Sequence, residues 1–323
     1  MKRIHTPLIT GLLAAFLLTG FISCASVPEH NSYSTEMAVF NAITSSVQSI
    51  EKASETITPE EEYYIGRSVA ASIATTYPVD QGSIQMTTYL NRICETLVMN
   101  SDKPYLYKGY YVVILDTDEI NAMATPGGHI FVSRGLIDCT DSEDALAAVL
   151  AHEISHVQLG HSVQAIKASR VRTAVSDTTK AVAVTSLATA NTRSGYAFSE
   201  AEMKVAMQAV NTFSDASNEV VKTLVNTGFS KEQEFEADQH ALYIMQSAGY
   251  DPYAMLDMLE QLEESPSNSG WGSTHPSPND RIKKVEKELA AMKKEGTIDT
   301  RGKQVRTERF VSEYEDYRIF EID

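Results

Sequence analysis

The segment Ala147–His161, AAVLAHEISHVQLGH, constrains the fold more than any other part of this 323-residue chain. A capping pattern over residues 140–143 (TDSE) predicts a helix that begins near residue 141. On that helix His152 and His156 lie four residues apart and project from one face, where two imidazoles can bind one Zn²⁺. Glu153 lies beside them and can reach a water molecule at the metal. The alternative is a core helix that buries two hydrogen-bonded histidines.

A third ligand must come from elsewhere, because catalytic zinc sites usually have three protein ligands and one open position. The metzincin arrangement is excluded, since the position six residues after His156 is Ser162. Residues 230–238 (SKEQEFEAD) predict a second helix start with a capping box. Glu234 and Asp238 share one face of that helix, which suits a glutamate ligand and a carboxylate that holds a ligand histidine. Glu236 is a weaker ligand candidate, and an acidic helix start is the alternative interpretation.

The remaining periodicities predict an α+β fold that is mostly helical. Helices are expected from Thr58 onward and over Ile84–Met99, and again from residue 141 to about 295. A β-branched and aromatic run at 110–115 predicts a strand, and residues 121–125 and 129–133 predict a hairpin around Pro-Gly-Gly. The small sheet would therefore lie between two helical parts. The tail, 296–323, is expected to add a strand or to stay mobile.

The first residues predict export. Lys2 and Arg3 precede an apolar run at 8–22 that is shorter than the ~20 residues of a membrane-spanning helix. The run ends at Cys24 in a sequence similar to a bacterial lipobox, so we expect a signal peptide over 1–23 and lipidation of Cys24. Residues 24–57 would be a tether and 58–295 the catalytic domain. An uncleaved anchor, or an ordinary signal with an incidental cysteine, is the alternative.

The net charge bears on the class of binding partner, and the cysteine content bears on disulfide bonding. Lys and Arg number 27 against 43 Asp and Glu, and a net charge of −16 repels phosphate backbones, so we expect no nucleic-acid partner. Cys94 and Cys139 are either a disulfide or, as we favour, two separate thiols. His161 and His240 are expected on a helix surface or in the core. Residues 166–229 are interpreted as two helices over the cleft or as an element that contacts the membrane or gates substrate.

Four motifs in order resemble the HtpX/CAAX-prenyl-protease family of gluzincin zinc metallopeptidases, and most closely its exported lipoprotein branch. They are NAMATPGG at 121–128, DALAAVLAHEISH at 144–156, EFEAD at 234–238, and Thr274-His275-Pro276 followed by Arg281. The resemblance covers about Tyr63 to Met292. It implies a gluzincin-type domain with one Zn²⁺ bound by His152, His156 and Glu234, and Glu153 as general base.

The resemblance also implies how substrate binds and what it is. The strand that contains Asn121, Ala122, Met123 and Ala124 resembles a sheet edge that pairs with an extended peptide. Such pairing suits unfolded or misassembled envelope proteins, so we expect protein quality control at the periplasmic face, at the outer rather than the inner membrane. A zinc-folded chaperone or assembly factor with little turnover is the alternative.

His275 is placed beside the metal by the same resemblance. A neutral imidazole there could occupy the open zinc position and keep the enzyme latent, which is the role we favour. It could instead donate a hydrogen bond to the tetrahedral oxyanion, with Arg281 nearby supplying positive charge. A helix-capping turn that needs only Pro276 and a polar residue is the third interpretation.

Overall fold

The computed structural model describes residues 57–167, 220–264, 271–275 and 278–320. The predicted signal peptide, Cys24, nearly all of the tether and most of the 166–229 excursion lie outside the described residues. The described helices and strands run as follows: α1 Pro59–Thr76, α2 Ile84–Met99, β1 Tyr111–Leu115, β2 Ala122–Ala124, β3 His129–Ser133, α3 Arg134–Cys139, α4 Glu143–Leu159, a π-helical turn Thr223–Thr227, α5 Lys231–Ala248, α6 Tyr253–Glu264, α7 Trp271–Thr274, α8 Pro278–Glu295 and α9 Lys303–Phe320.

Helix α4 is the centre of the fold. Its residues from Glu143 to Gln158 are all buried, which is typical of a helix covered on every side. It packs against α2, α5, α6, α9 and the sheet. The predicted mostly helical α+β class is therefore confirmed.

The sheet has three strands in the order β1-β3-β2. β1 pairs parallel with β3, with Tyr111 opposite His129, and β2 pairs antiparallel with β3, with Met123 opposite Phe131. The predicted hairpin is thus confirmed, and β2 is an edge strand of the described sheet.

The two faces of the sheet belong to different cores, because successive side chains in a strand point to opposite faces. Ile130 and Val132 of β3 face the large core around α2 and α4. Phe131, which lies between them, faces a smaller core formed by α1 and the π-helical turn. The sheet therefore separates α1 from α4.

The Pro-Gly-Gly turn packs directly against α1. A Cβ on Gly66 would lie 1.6 Å from the carbonyl oxygen of Pro126, and one on Gly127 would lie 2.6 Å from the Cα of Tyr63. Gly127 also has a positive φ of 75°, which glycine adopts without strain. Glycine at both positions lets the hairpin and α1 approach to backbone contact.

The helix starts follow the capping signals, with one shift. Ser230 and Gln233 form the predicted capping box of α5, and Thr58 caps α1. The predicted start of α4 near residue 141 was two residues early, because Ser142 is its N-cap and accepts a hydrogen bond from the N–H of Ala145. Thr140 instead ends the short helix α3.

The prediction that the tail adds a strand or stays mobile is wrong. Residues 303–320 form α9, which packs against α2 and α4. Its buried side chains Phe310 and Tyr317 are seven residues apart and so lie on one face. Arg306 and Arg309 pair with Asp144 and Glu143 of α4, and these ion pairs fix the tail to the first turn of the central helix.

The two described cysteines are both free, which confirms separate thiols and contradicts the disulfide alternative. Cys94 is buried, and burial raises the pKa of its thiol to about 12. None of the described helices is long and apolar enough to cross a membrane.

Candidate metal centre

Four buried side chains converge where α4, α5 and the residue after α7 meet. They are His152, His156, Glu234 and His275, and one donor atom from each lies within 4.8 Å of all the others. The Nε2 atoms of His152 and His156 are 3.0 Å apart, and each lies 3.5 Å from an oxygen of Glu234. The structure thus brings together the three residues that the sequence predicts as metal ligands.

The outer nitrogen of His152 has a buried carboxylate as its partner. Nδ1 of His152 lies 2.9 Å from Oδ1 of Asp238. Arg281, fully buried on α8, donates from Nε and Nη2 to the two oxygens of Asp238 at 2.8 and 2.6 Å. Such a paired carboxylate fixes the tautomer of the ring, so that Nε2 of His152 is free to bind a metal.

Glu153 follows the first histidine on α4 and is fully buried. Its Oε1 has no hydrogen-bond partner among the described residues, and Nε2 of His275 lies 3.6 Å away. Burial raises the pKa of the Glu153 carboxyl group. A carboxylate held this way, beside the converging donors, can accept a proton from a water molecule or a substrate.

The charges of the other side chains in the site are set by burial and by the ionisable groups around each of them. Burial lowers the pKa of His156 well below its usual range, which keeps its ring neutral and able to bind a metal. Burial and Arg281 also oppose the charged form of His152, but its hydrogen bonds to Asp238 and Glu234 raise the pKa to about 9. For Glu234, burial would raise the pKa, but the charges of His275 and Arg281 outweigh it and hold the pKa well below its usual range.

The short helix α7 brings His275 into the centre. Nδ1 of His275 lies 3.2 Å from Nε2 of His152 and 3.1 Å from Oε2 of Glu234. Trp271 stacks on the His275 ring with centroids 4.1 Å apart, and the backbone N–H of Trp271 donates to the carbonyl of Ile120 at 2.8 Å. The segment therefore touches both the metal cluster and the residues that lead into β2.

The predicted peptide-pairing strand lies next to that segment. The hydroxyl of Thr274 donates to the side-chain oxygen of Asn121. The carbonyl of Asn121 and the N–H of Thr125 bond to β3, so the backbone groups of Ala122 and Ala124 point to the opposite edge by alternation. In the described part of the chain no strand pairs with that edge.

Sequence reasoning missed two members of the centre, His161 and Trp271. His161 is buried, and its Nδ1 lies 2.8 Å from Nδ1 of His156. The available signal was Gly160, which ends α4 with a positive φ of 70° and so changes the direction in which His161 leaves the helix. His240, by contrast, is half-buried and contacts Ser155 rather than the cluster.

The residues present fit a zinc ion. Imidazole nitrogens and a carboxylate oxygen are the donors that Zn²⁺ takes in proteins, and here they point at one another inside a buried site. An H-E-x-x-H helix whose third donor is a glutamate on a second helix defines the gluzincin class of zinc metallopeptidases. The matching family model is narrower than the class: residues 85–289 match Peptidase family M48, and the chain belongs to this family of zinc-dependent metallopeptidases.

The relatives of the chain are metalloproteases. It is 26% identical over 300 residues to the beta-barrel assembly-enhancing protease of Yersinia pestis, across 91% of this chain and 55% of that protein. It is 31% identical over 211 residues to mitochondrial metalloendopeptidase OMA1 of Schizosaccharomyces pombe, across 63% of this chain and 53% of that one. Metalloprotease LoiP of Escherichia coli is 25% identical over 288 residues, which are 88% of this chain and 96% of LoiP. The chain thus spans about half the length of the first two relatives.

Proposed function

We propose that this chain is a zinc-dependent endopeptidase that hydrolyses misfolded or unassembled proteins of the cell envelope. The observation that carries the proposal is Glu153, a buried carboxyl group whose Oε1 has no hydrogen-bond partner among the described residues, placed beside converging metal donors. A protein that used the metal only for folding would have no need of a base there. The name of one relative, beta-barrel assembly-enhancing protease, supports proteins of the envelope as substrates.

Each residue of the centre has a distinct task in this proposal. His152, His156 and Glu234 hold the metal, and Asp238 with Arg281 orients His152. When bound, zinc supplies Lewis-acid polarisation of the scissile carbonyl and lowers the pKa of water. Glu153 takes the proton of the attacking water and gives it to the leaving amine, a task that contributes about 10²- to 10⁴-fold in rate.

The edge of β2 is the proposed substrate site. An extended peptide can bond to the outward backbone groups of Ala122 and Ala124, as a further strand of the sheet. Main-chain pairing accepts many side chains, and an unfolded segment presents its backbone freely for such pairing. This supports unfolded or misassembled proteins, rather than a particular folded protein, as substrates.

His275 is proposed to keep the enzyme latent. Its Nδ1 lies at 3.1–3.2 Å from donor atoms of His152 and Glu234, within reach of the fourth position of a metal held there. The backbone N–H of Trp271, in the same segment, donates to the carbonyl of Ile120, which shortly precedes β2. Displacement of this segment would therefore free the metal and the peptide-binding edge of β2 together. Oxyanion stabilisation by His275 is the competing role.

Hydrolysis by the His275→Ala variant distinguishes these roles. Latency predicts faster hydrolysis of unfolded casein, with His240→Ala as a control histidine outside the cluster. Oxyanion stabilisation predicts a loss of up to about 10²- to 10³-fold. Trp271 is the one tryptophan of the chain and stacks on His275, so its fluorescence should also change when casein displaces the segment. Unchanged hydrolysis and unchanged zinc affinity in His275→Ala would contradict both roles.

Attachment to the membrane is proposed to occur through lipid on Cys24, at the periplasmic face of the outer membrane. The short apolar run that ends at this cysteine supports it. Cys24→Ser should release the folded protein from membranes, with Cys94→Ser as the matched control. A Cys24→Ser protein that still resists carbonate washing would indicate an uncleaved anchor.

Proteolysis and the chaperone alternative are separated by one assay. The wild-type protein should cleave unfolded casein, lose the activity on chelation and regain it when zinc is restored. A zinc-folded chaperone would instead suppress aggregation of the client without releasing peptides. Absence of peptide release at full zinc content, also in His275→Ala, would contradict the proposed function.

A further inference from the structure

The two histidines of α4 are held by different partners on their outer sides. Nδ1 of His152 meets the carboxylate of Asp238 directly, at 2.9 Å. Nδ1 of His156 meets another imidazole, that of His161, at 2.8 Å. Nε2 of His161 in turn lies 3.4 Å from Oε2 of Glu236 on α5. The two histidines therefore reach a carboxylate by different routes.

The chemistry of a metal ligand fixes the direction of these hydrogen bonds. A histidine that binds a metal through Nε2 is neutral and carries its one hydrogen on Nδ1. His156 must then donate from Nδ1, and the Nδ1 of His161 must accept. The hydrogen of a neutral His161 consequently lies on Nε2, the nitrogen that faces Glu236.

The packing around His161 holds this arrangement in place. His161 is fully buried, and Phe229 stacks on the His156 ring with centroids 4.1 Å apart and lies 5.8 Å from the His161 ring. Glu236, in contrast, has a side chain that is 64% exposed. The pair thus connects a buried ligand to a carboxylate at the surface, whereas Asp238 is itself buried.

We propose that His161 and Glu236 are positioning residues for zinc: His161 fixes the tautomer and orientation of His156, and Glu236 fixes those of His161. The inference rests on the proposed zinc site and adds a role that neither ligand spacing nor the catalytic motif assigns. Partners of this kind typically change metal affinity by about 10- to 100-fold. Because a hydrogen bond of 3.4 Å to an exposed group is weak, Glu236 should contribute less than His161.

The test measures the zinc dissociation constant of the full-length protein by competition with a chromophoric chelator. His161→Phe keeps a ring in the buried space but removes the acceptor, and it should weaken binding by about 10- to 100-fold. His161→Asn returns an oxygen close to the position of Nδ1 and should recover part of the affinity. Glu236→Ala should lose less, yet more than Glu232→Ala, which removes the same charge from an exposed position of the same helix.

A purely structural role makes a different prediction. His161→Phe would then lower the melting temperature of the zinc-free protein and leave the zinc dissociation constant at the wild-type value, which would overturn the proposal. If Glu236→Ala and Glu232→Ala bound zinc with equal affinity, Glu236 would have no positioning role. Glu236→Ala should fold normally because its side chain is exposed, so the proposal stays testable even if His161→Phe misfolds. If the wild-type protein itself took up no zinc, the proposed function would fail first.

Discussion

The two ends of α4 bury charged groups in opposite ways. At the first turn, Glu143 and Asp144 face cations of α9, since Arg309 pairs with Glu143 and Arg306 donates to Asp144 at 2.8 Å. Further along the helix, His152 and His156 meet other electron-pair donors, and Glu153 lies 3.6 Å from Nε2 of His275. The first end matches opposite charges and lies at the helix terminus that favours acids.

This difference indicates that one end of α4 contributes mainly to stability and the other mainly to function. Converging donors repel one another unless a cation or a proton lies between them, whereas carboxylates paired with guanidinium groups are satisfied by the protein itself. The first turn should therefore matter for the free energy of unfolding and the metal end for zinc and turnover. Substitutions at the two ends should accordingly give different phenotypes.

The largest effect is expected at the metal end. His156→Ala, or Glu234→Ala, leaves only two of the three proposed protein ligands. Because zinc affinity depends on all three ligands, either variant should lose both stoichiometric zinc binding and hydrolysis. Zinc content by atomic spectroscopy and casein hydrolysis measure it. Normal zinc affinity in either variant would show that the substituted residue is not a zinc ligand.

A smaller effect, a loss of stability, is expected from Arg281, the cation that pairs with Asp238 at the metal end. Arg281→Met removes the two guanidinium hydrogen bonds to the buried carboxylate of Asp238, and removing one partner of a buried ion pair costs about 3–5 kcal/mol. Urea unfolding of the zinc-free protein should reveal that loss of stability. A variant as stable as the wild type would show that the ion pair of Arg281 with Asp238 does not stabilise the zinc-free protein.

The smallest effect is expected at the first turn. Arg306→Leu removes a charged hydrogen bond to Asp144, which still accepts from the N–H of Asp251 at 2.9 Å. The free energy of unfolding should fall by about 1.5–3 kcal/mol. Zinc affinity and turnover of the folded protein should stay at wild-type values, and a large loss of zinc in this variant would contradict the separation of the two ends.

The metal end could be predicted from the sequence because its information is local. The spacing of His152 and His156, and of Glu234 and Asp238, determines which side chains share a helix face. The role of His161 depends on the left-handed turn at Gly160, and that of Glu236 on how α5 packs against α4, so neither follows from spacing. The prediction for these two residues was correspondingly incomplete.

The tail was missed for a related reason. Between 303 and 320 the buried side chains Phe310 and Tyr317 stand among many charged residues, so the apolar periodicity is weak. The contacts that favour this helix are ion pairs of Arg306 and Arg309 with the first turn of α4, more than 150 positions earlier in the chain. Only tertiary structure reveals such pairing.

Zinc titration of the metal-free protein, with bound zinc and casein hydrolysis followed together, tests the central claim most directly. Activity should rise in proportion to zinc and stop rising at one ion per chain, since one cluster of donors is present among the described residues. Glu153→Gln should take up the same zinc with the same affinity, yet hydrolyse about 10²- to 10⁴-fold more slowly, because its amide cannot accept a proton. Wild-type hydrolysis by Glu153→Gln at matched zinc content, or activity in the zinc-free protein, would contradict the account.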